Sequence, residues 1–197
     1  MSGFGSGFGP GFGPGFQRGD EAPPALLLQS LVTAGSHVSE GARIVAVTVP
    51  WLAIVGEIAR DPDFLFHFAE APRKFEEFIA GAYEEAGYEV VLTPQSGDRG
   101  RDVIASKDGF GSVRILDQVK AYSPGRLVGH DELRAMLGVL AGDQNASKAV
   151  ITTTSAFRPG VLTSPEFTKF MPYRMELKDG PALLTWLAEL RKPKAPQ

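Results

Sequence analysis

Asp102, Gln118 and Lys120 offer a carboxylate, an amide and an ammonium within 19 residues of one another. They belong to the stretch GDRGRDVIASKDGFGSVRILDQVK, from Gly97 to Lys120. Two runs of β-forming residues flank a Lys-Asp-Gly-Phe-Gly turn, which predicts a hairpin whose first strand starts at Asp102 and whose second ends at Lys120. Side chains alternate along a strand, so Gln118 and Lys120 share one face while Val119 takes the other. A hairpin brings the first residues of one strand beside the last of its partner, and that places Asp102 with them. A carboxylate and an amide oxygen suit a hard divalent cation, and an ammonium beside them can orient water or balance negative charge. That combination serves metal-assisted hydrolysis of a phosphodiester.

The elements that must hold this hairpin are legible on both sides of it. Phe75, Phe78, Ile79, Ala82, Tyr83 and Ala86 recur at spacings of three and four, which predicts an amphipathic helix closed by Gly87. Tyr88 to Thr93 reads as a strand. After the hairpin and a Ser123-Pro124-Gly125 turn, Asp131 to Gly142 reads as a helix and Lys148 to Thr153 as a buried strand. Pro165 to Phe170 reads as a helical turn, Arg174 to Leu177 as a short strand and Pro181 to Leu190 as a final helix. The order from Pro72 to Thr153 is αβββαβ, which predicts an α/β fold with a mixed central sheet flanked by helices. Upstream, Ala25 to Ala34 reads as a short helix, Ile44 to Val49 as a strand, and Pro50 to Ile58 as a helix with proline in its first turn.

Composition narrows the chemistry. A chain of 197 residues is long enough for one well-buried domain with a small appendage. It contains no cysteine, which excludes disulfides, thiolate zinc sites and a cysteine nucleophile. His37, His67 and His130 have no metal-ligand spacing and read as structural. The net charge of −3 gives no global pull toward nucleic acid, so contacts with an anionic polymer would rest on local charge. Arg99, Arg101, Lys107, Arg114, Lys120 and Arg126 face Asp98, Asp102, Asp108 and Asp117 in sequence, a local balance of 6 − 4 = +2. The first residues lack the basic cluster and apolar run of a secretory signal. Ile44 to Val55 is interrupted by Thr48 and Pro50 and is too short to span a bilayer. A soluble, cytoplasmic protein without a membrane partner is the expectation. Phe4, Phe8, Phe12 and Phe16 recur in a glycine-rich leader that cannot bury enough surface to fold, so disorder is expected there.

Taken in order, Phe75-Glu76, Ala86-Gly87-Tyr88, the Gly97 to Asp102 run, Gln118-Val119-Lys120, the helix that follows and Ile151 to Phe157 resemble the PD-(D/E)xK nuclease superfamily. Within it the chain is similar to the Mrr-type restriction endonuclease catalytic domain, over roughly Pro72 to Leu190. The resemblance implies a restriction-endonuclease-like core and a Mg²⁺ cofactor, with Mn²⁺ as a substitute. Asp102 would be the metal-binding aspartate and Lys120 the catalytic lysine. Gln118 stands where most of the superfamily has Asp or Glu and where this branch typically has Gln. Glu76 matches the helix glutamate that helps hold the metal or its waters in many members. The domain spans expected are 1–20 for the leader, 21–71 for a helix and strand appendage, 72–190 for the nuclease domain and 191–197 for a basic tail.

Each residue also has a plainer reading. Alone, Asp102 would close a turn, Gln118 would be an edge-strand polar residue and Lys120 a solvated strand end. Glu76 shares its helix with Glu77, Glu84 and Glu85, and such charges are mostly surface. Asp98 reads as a turn former, and Asp117 faces away from Gln118 and is left out of the site. Arg99, Arg101 and Arg126 are candidates for DNA phosphates, and Thr153 in the Thr152 to Ser155 run for hydrogen bonds to phosphate. The function expected is a Mg²⁺-dependent DNA endonuclease of the restriction type, acting against foreign or modified DNA. The alternatives are a repair or junction-resolving nuclease and a non-catalytic DNA-binding module on the same fold. Two cuts in a duplex need two active sites, so a homodimer is expected.

Overall fold

The computed structural model describes residues 24–96 and 100–192. Arg99, Asp98, the leader and the end of the basic tail lie outside the described residues. Among the described residues nine strands and five α-helices follow in chain order, with two 3-10 segments near the start. The first half alternates short elements: a 3-10 turn Ala25–Leu28, β1 Val32–Val38, β2 Gly41–Val47, α1 Val49–Arg60, a 3-10 stretch Pro62–Glu70, α2 Pro72–Glu85 and β3 Glu89–Leu92. The hairpin expected to carry the chemistry is β4 Val103–Lys107 and β5 Val113–Lys120. Beyond it come β6 Leu127–Val128, α3 His130–Gly142, β7 Lys148–Thr153, β8 Ala156–Phe157, α4 Pro165–Thr168, β9 Met175–Lys178 and α5 Gly180–Leu190.

Seven strands form one mixed sheet in the order β1-β2-β3-β4-β5-β7-β9. The pairs from β1 to β5 are antiparallel, with α1 and α2 inserted between β2 and β3, and β5, β7 and β9 run parallel. Parallel pairing needs a crossover, and α3 supplies it between β5 and β7. β6 and β8 make a separate two-stranded parallel ladder.

Strand alternation sorts the apolar residues into two cores. Val103, Ala105, Ile115, Val119 and Val150 pack with α1, α2 and α5 on one face. Ile104, Leu116, Ala149 and Ile151 pack with α3 and α4 on the other. The αβββαβ core and the flanking helices expected from the sequence are both present. No helix among the described residues is long and apolar enough to cross a membrane.

One element departs from the sequence reading. Only Ala25–Leu28 is helical in the stretch expected to be a helix through Ala34, and Val32–Val38 is an edge strand. The leucine spacing is satisfied another way, because Leu27 and Leu31 are both buried in the core without a helix joining them. Thr33, Ala34 and His37 instead pair with β2, which in turn pairs with β3. Residues 32–47 thereby extend the same sheet as the hairpin, and α1 joins the core of α2.

The helix that bears Glu76 is set by a close approach. The Trp51 indole N–H donates to the Phe78 carbonyl oxygen at 2.9 Å, and the two rings lie 5.5 Å apart. Gly81 makes room for this, since a Cβ there would come within 2.5 Å of Trp51 Nε1. Alanine is favoured over glycine in a helix by about 1 kcal/mol. Overpacking costs about 1–3 kcal/mol and loss of the indole hydrogen bond about 1 kcal/mol. Gly81→Ala is therefore expected to lower unfolding free energy by about 1–3 kcal/mol in a denaturant titration.

Candidate active site

The site begins with strand register. Val103 pairs with Asp117 and Ile104 with Leu116, so the same register puts Asp102 opposite Gln118. The Asp102 N–H donates to the Asp117 carbonyl oxygen at 2.9 Å, which carries the ladder one residue past the end of β4. The Asp102 carboxylate then turns onto β5, where its Oδ2 accepts the Val119 N–H at 2.7 Å. That contact sets the carboxylate against the backbone between Gln118 and Lys120.

Lys120 ends β5 and is pinned from β7. It pairs with Thr153, whose hydroxyl donates to the Lys120 carbonyl oxygen at 2.8 Å, and the Thr154 N–H reaches the same oxygen at 3.2 Å. The side chains of Gln118 and Lys120 enter a cleft of about 500 Å³, closed on the far side by Gly129, His130 and Glu132 at the start of α3 and by Arg158. Sequence reasoning did not assign Glu132, Tyr122 or Arg158. Glu132 carried a signal as the acid three residues after a helix cap, and its Oε2 accepts the Gly129 N–H at 3.0 Å. Its other oxygen accepts the Tyr122 hydroxyl at 3.3 Å. Burial works against the charge of Glu132, but the Glu132 and Gly129 N–H groups, the Tyr122 hydroxyl and Lys120 together hold its carboxyl below the usual range.

Fit for a divalent cation can be judged from the donors. Among the described residues no group of three His, Cys, Asp or Glu side chains is placed to hold a metal ion. The Gln118 amide oxygen, however, is sealed from solvent with no hydrogen-bond partner. A buried acceptor left unpaired costs about 1–3 kcal/mol, and a cation relieves that cost. Asp102 and Gln118 are thus a charged and a neutral oxygen on one face of one hairpin. Mg²⁺ keeps several waters and needs few protein ligands, so this donor set suits it.

Glu76 reaches the same neighbourhood through other residues. Its carboxylate is paired with Arg73, and Arg73 Nη1 also donates to the Thr93 carbonyl oxygen at 2.8 Å. The Thr93 N–H in turn donates to the Asp102 carbonyl oxygen at 3.0 Å. Glu76 therefore helps fix the turn in front of Asp102.

The structure separates the expected phosphate-binding residues. Arg101 is a correction: its side chain is only 12% exposed and bridges Glu40 at 2.9 Å and Asp143 at 3.0 Å, so it is spent inside the fold. Thr153 is another, because it is fully buried and its hydroxyl serves the Lys120 backbone and accepts the Ser155 N–H. Arg126 is exposed, with its guanidinium 4.0 Å over the Tyr122 ring. Asp117 lies on the opposite face from Gln118, as alternation requires. It is fully buried, and its Oδ2 accepts hydrogen bonds from Tyr83 at 3.0 Å and Thr152 at 2.8 Å. Burial pushes its carboxyl up to about 7, against the pull of those two hydroxyls and Lys178.

Comparison with known proteins shows the family. Residues 69–187, more than half the chain, match the restriction endonuclease family in its Mrr catalytic-domain form. The type IV methyl-directed restriction enzyme EcoKMrr of Escherichia coli (strain K12) is 33% identical over 92 residues, which cover 44% of this chain and 29% of that enzyme. Among solved structures, the DNA modification-dependent restriction endonuclease AspBHI aligns with a TM-score of 0.51 at 19% identity, over 73% of this chain and 36% of that one. The chain therefore spans about a third of the length of these relatives, and the AspBHI likeness speaks for the fold alone. By the match over residues 69–187, the chain belongs to the restriction endonuclease family, with a catalytic domain of the Mrr type.

Proposed function

We propose that this chain is a Mg²⁺-dependent endodeoxyribonuclease that hydrolyses phosphodiester bonds of modified or foreign DNA. The observation that carries the reading is the Asp102 carboxylate locked to the Val119 N–H, opposite a Gln118 oxygen that is buried and unpaired, with Lys120 one step further along the same face. EcoKMrr is methyl-directed by name, and we extend that class of target to this chain.

Phosphodiester hydrolysis places negative charge on the non-bridging and leaving oxygens, so the site must supply positive charge. Bound Mg²⁺ would supply Lewis-acid charge and a water of lowered pKa. Asp102 and Gln118 would hold the ion, while the Val119 N–H keeps the Asp102 carboxylate from turning away. Lys120, fixed at its backbone by Thr153 and Thr154, orients the attacking water or balances the developing charge. Glu76, committed to Arg73, acts by holding the Thr93 turn. Two cuts in a duplex need two such sites, so the active form is proposed to be a homodimer, working in the cytoplasm with Mn²⁺ able to replace Mg²⁺.

The test is plasmid cleavage with plain and methylated DNA. Nicking is expected with Mg²⁺ or Mn²⁺, complete loss in EDTA, and recovery when Mg²⁺ is restored. Cutting that persists in EDTA would remove the metal from the mechanism, and no cutting of either DNA would remove the nuclease reading.

A further inference from the structure

Ten arginines fall among the described residues, and six of them, Arg43, Arg60, Arg73, Arg101, Arg114 and Arg134, are held in ion pairs with carboxylates. Arg126 and Arg158 are exposed and make no ion pair among the described residues, as is also true of Arg174 and Arg191. What distinguishes Arg126 and Arg158 is their place. Both line one groove of about 590 Å³, and Arg158 also borders the cleft that holds Gln118 and Lys120. The two concavities share Leu127, Glu132 and Arg158, so a continuous track leads from Lys120 past Arg158 to Arg126.

The small β6–β8 ladder fixes the spacing of the two arginines. Leu127 pairs with Ala156 and Val128 with Phe157, so Arg126 enters one strand and Arg158 leaves the other. Three residue steps along parallel strands separate them by about 10 Å at the backbone. The Arg158 N–H donates to the Val128 carbonyl oxygen at 2.8 Å, which closes the ladder at its end. Gly129 leaves the space that the Arg158 side chain occupies, since a Cβ there would lie 3.3 Å from Arg158 Nε. Arg126 is steadied differently, with its guanidinium carbon 4.0 Å over the Tyr122 ring and a side-chain hydrogen bond to the same residue, which leaves the rest of its donor fork for an acceptor. Tyr122 is itself held, because its N–H donates to Thr154 Oγ1 at 2.8 Å and its hydroxyl to Glu132. The Glu132 carboxylate also takes the Gly129 N–H, so the start of α3 already has its anion and the two guanidiniums do not.

We propose that Arg126 and Arg158 form a clamp for backbone phosphates of the DNA strand that runs out of the Lys120 cleft, with Tyr122 as its fixed platform. The proposal rests on the nuclease reading and adds to it the path of the strand. Guanidinium forks match phosphate oxygens bidentately, and such contacts set register without reading sequence.

The experiment is fluorescence anisotropy of the full chain with a labelled mixed-sequence duplex in EDTA, across a series of salt concentrations. Arg126→Ala and Arg158→Ala are each expected to weaken binding several-fold and to reduce the slope of log affinity against log salt by about 1, and the double variant by about 2. Both should raise KM for cleavage and leave kcat near wild type. Arg60→Ala, a paired exposed arginine on α1, should keep the wild-type slope. If the wild type binds and cuts DNA but the variants keep its slope, the clamp is wrong and the nuclease reading stands. If affinity falls with no change of slope, the contact is not to phosphate and the clamp is again wrong. If the wild type neither binds nor cuts, both readings fall.

Discussion

Asp102→Asn and Lys120→Ala are each expected to slow DNA cleavage by about 10²–10³-fold, the scale on which a positioned charge at a reacting phosphate acts. Asparagine is the more informative change at 102. Its side-chain oxygen can still accept the Val119 N–H that Oδ2 accepts at 2.7 Å, so the hairpin keeps its register while the negative charge is lost. Alanine at 102 would leave that N–H unpaired and cost about 1–3 kcal/mol of stability as well, mixing two effects. At 120 the backbone is held by Thr153 and Thr154 whatever the side chain, so alanine removes the ammonium without moving the strand end. Single-turnover nicking in Mg²⁺, read beside the thermal unfolding midpoint, separates chemistry from folding. Wild-type rates in both variants would sink the assignment. A parallel calorimetric titration with Mg²⁺ should lose its binding heat in Asp102→Asn and keep it in Lys120→Ala, because only the first supplies an oxygen ligand.

How far the sequence could lead depended on the range of the interactions involved. The hairpin from Val103 to Lys120 was legible because a period of two and a glycine turn are local signals, and register alone then carries Asp102 to Gln118. Helix α2 was legible from its spacing of three and four, and its apolar face is the buried one, with Phe75, Phe78, Ile79 and Tyr83 in the core. Ala25 to Ala34 misled because four leucines at helical spacing can also be buried by a tight turn feeding a strand, and only pairing with β2 decides between the two. The ladder of β6 and β8 has two residues per strand, too few to leave a periodic trace. Charge was the least legible of all. Arg101 and Arg126 look alike in sequence, yet Arg101 finds Glu40 and Asp143, which lie 61 and 42 residues away. No local pattern announces such partners. Arg158 went unassigned for the complementary reason, since its position is set by β8 and by Gly129, and neither shows until the chain is folded.

Asp117 shows what the hidden face of β5 costs, and the expected result is a stability that falls as pH rises from about 4 to about 7. Strand parity puts the residue on the face away from Gln118, where Tyr83 and Thr152 meet it, but its charge state cannot be read from its neighbours in sequence. It is wholly buried, its Oδ2 is met by the hydroxyls of Tyr83 and Thr152, and its Oδ1 has no partner. Two neutral donors do not replace water around a carboxylate, so burial dominates and raises its pKa from 3.8 to about 7. In the unfolded chain the proton leaves near pH 3.8, whereas the folded chain holds it until about pH 7. Between those values the folded state binds more protons than the unfolded state, and each pH step upward removes stability. The loss is complete once pH passes the folded value, and it amounts to roughly 4 kcal/mol at about 1.4 kcal/mol per pH step. Asp117→Asn has no charge to bury and keeps an acceptor for both hydroxyls, so its stability should be nearly flat over the same window. In EDTA, which removes any metal contribution, urea titrations at pH 5 and pH 8 should show a drop in the wild type that the asparagine variant lacks. Above pH 7 the variant should be the more stable of the two. An equal pH dependence in both proteins would mean that Asp117 is not the group that titrates, and that its carboxylate is solvated by something other than Tyr83 and Thr152.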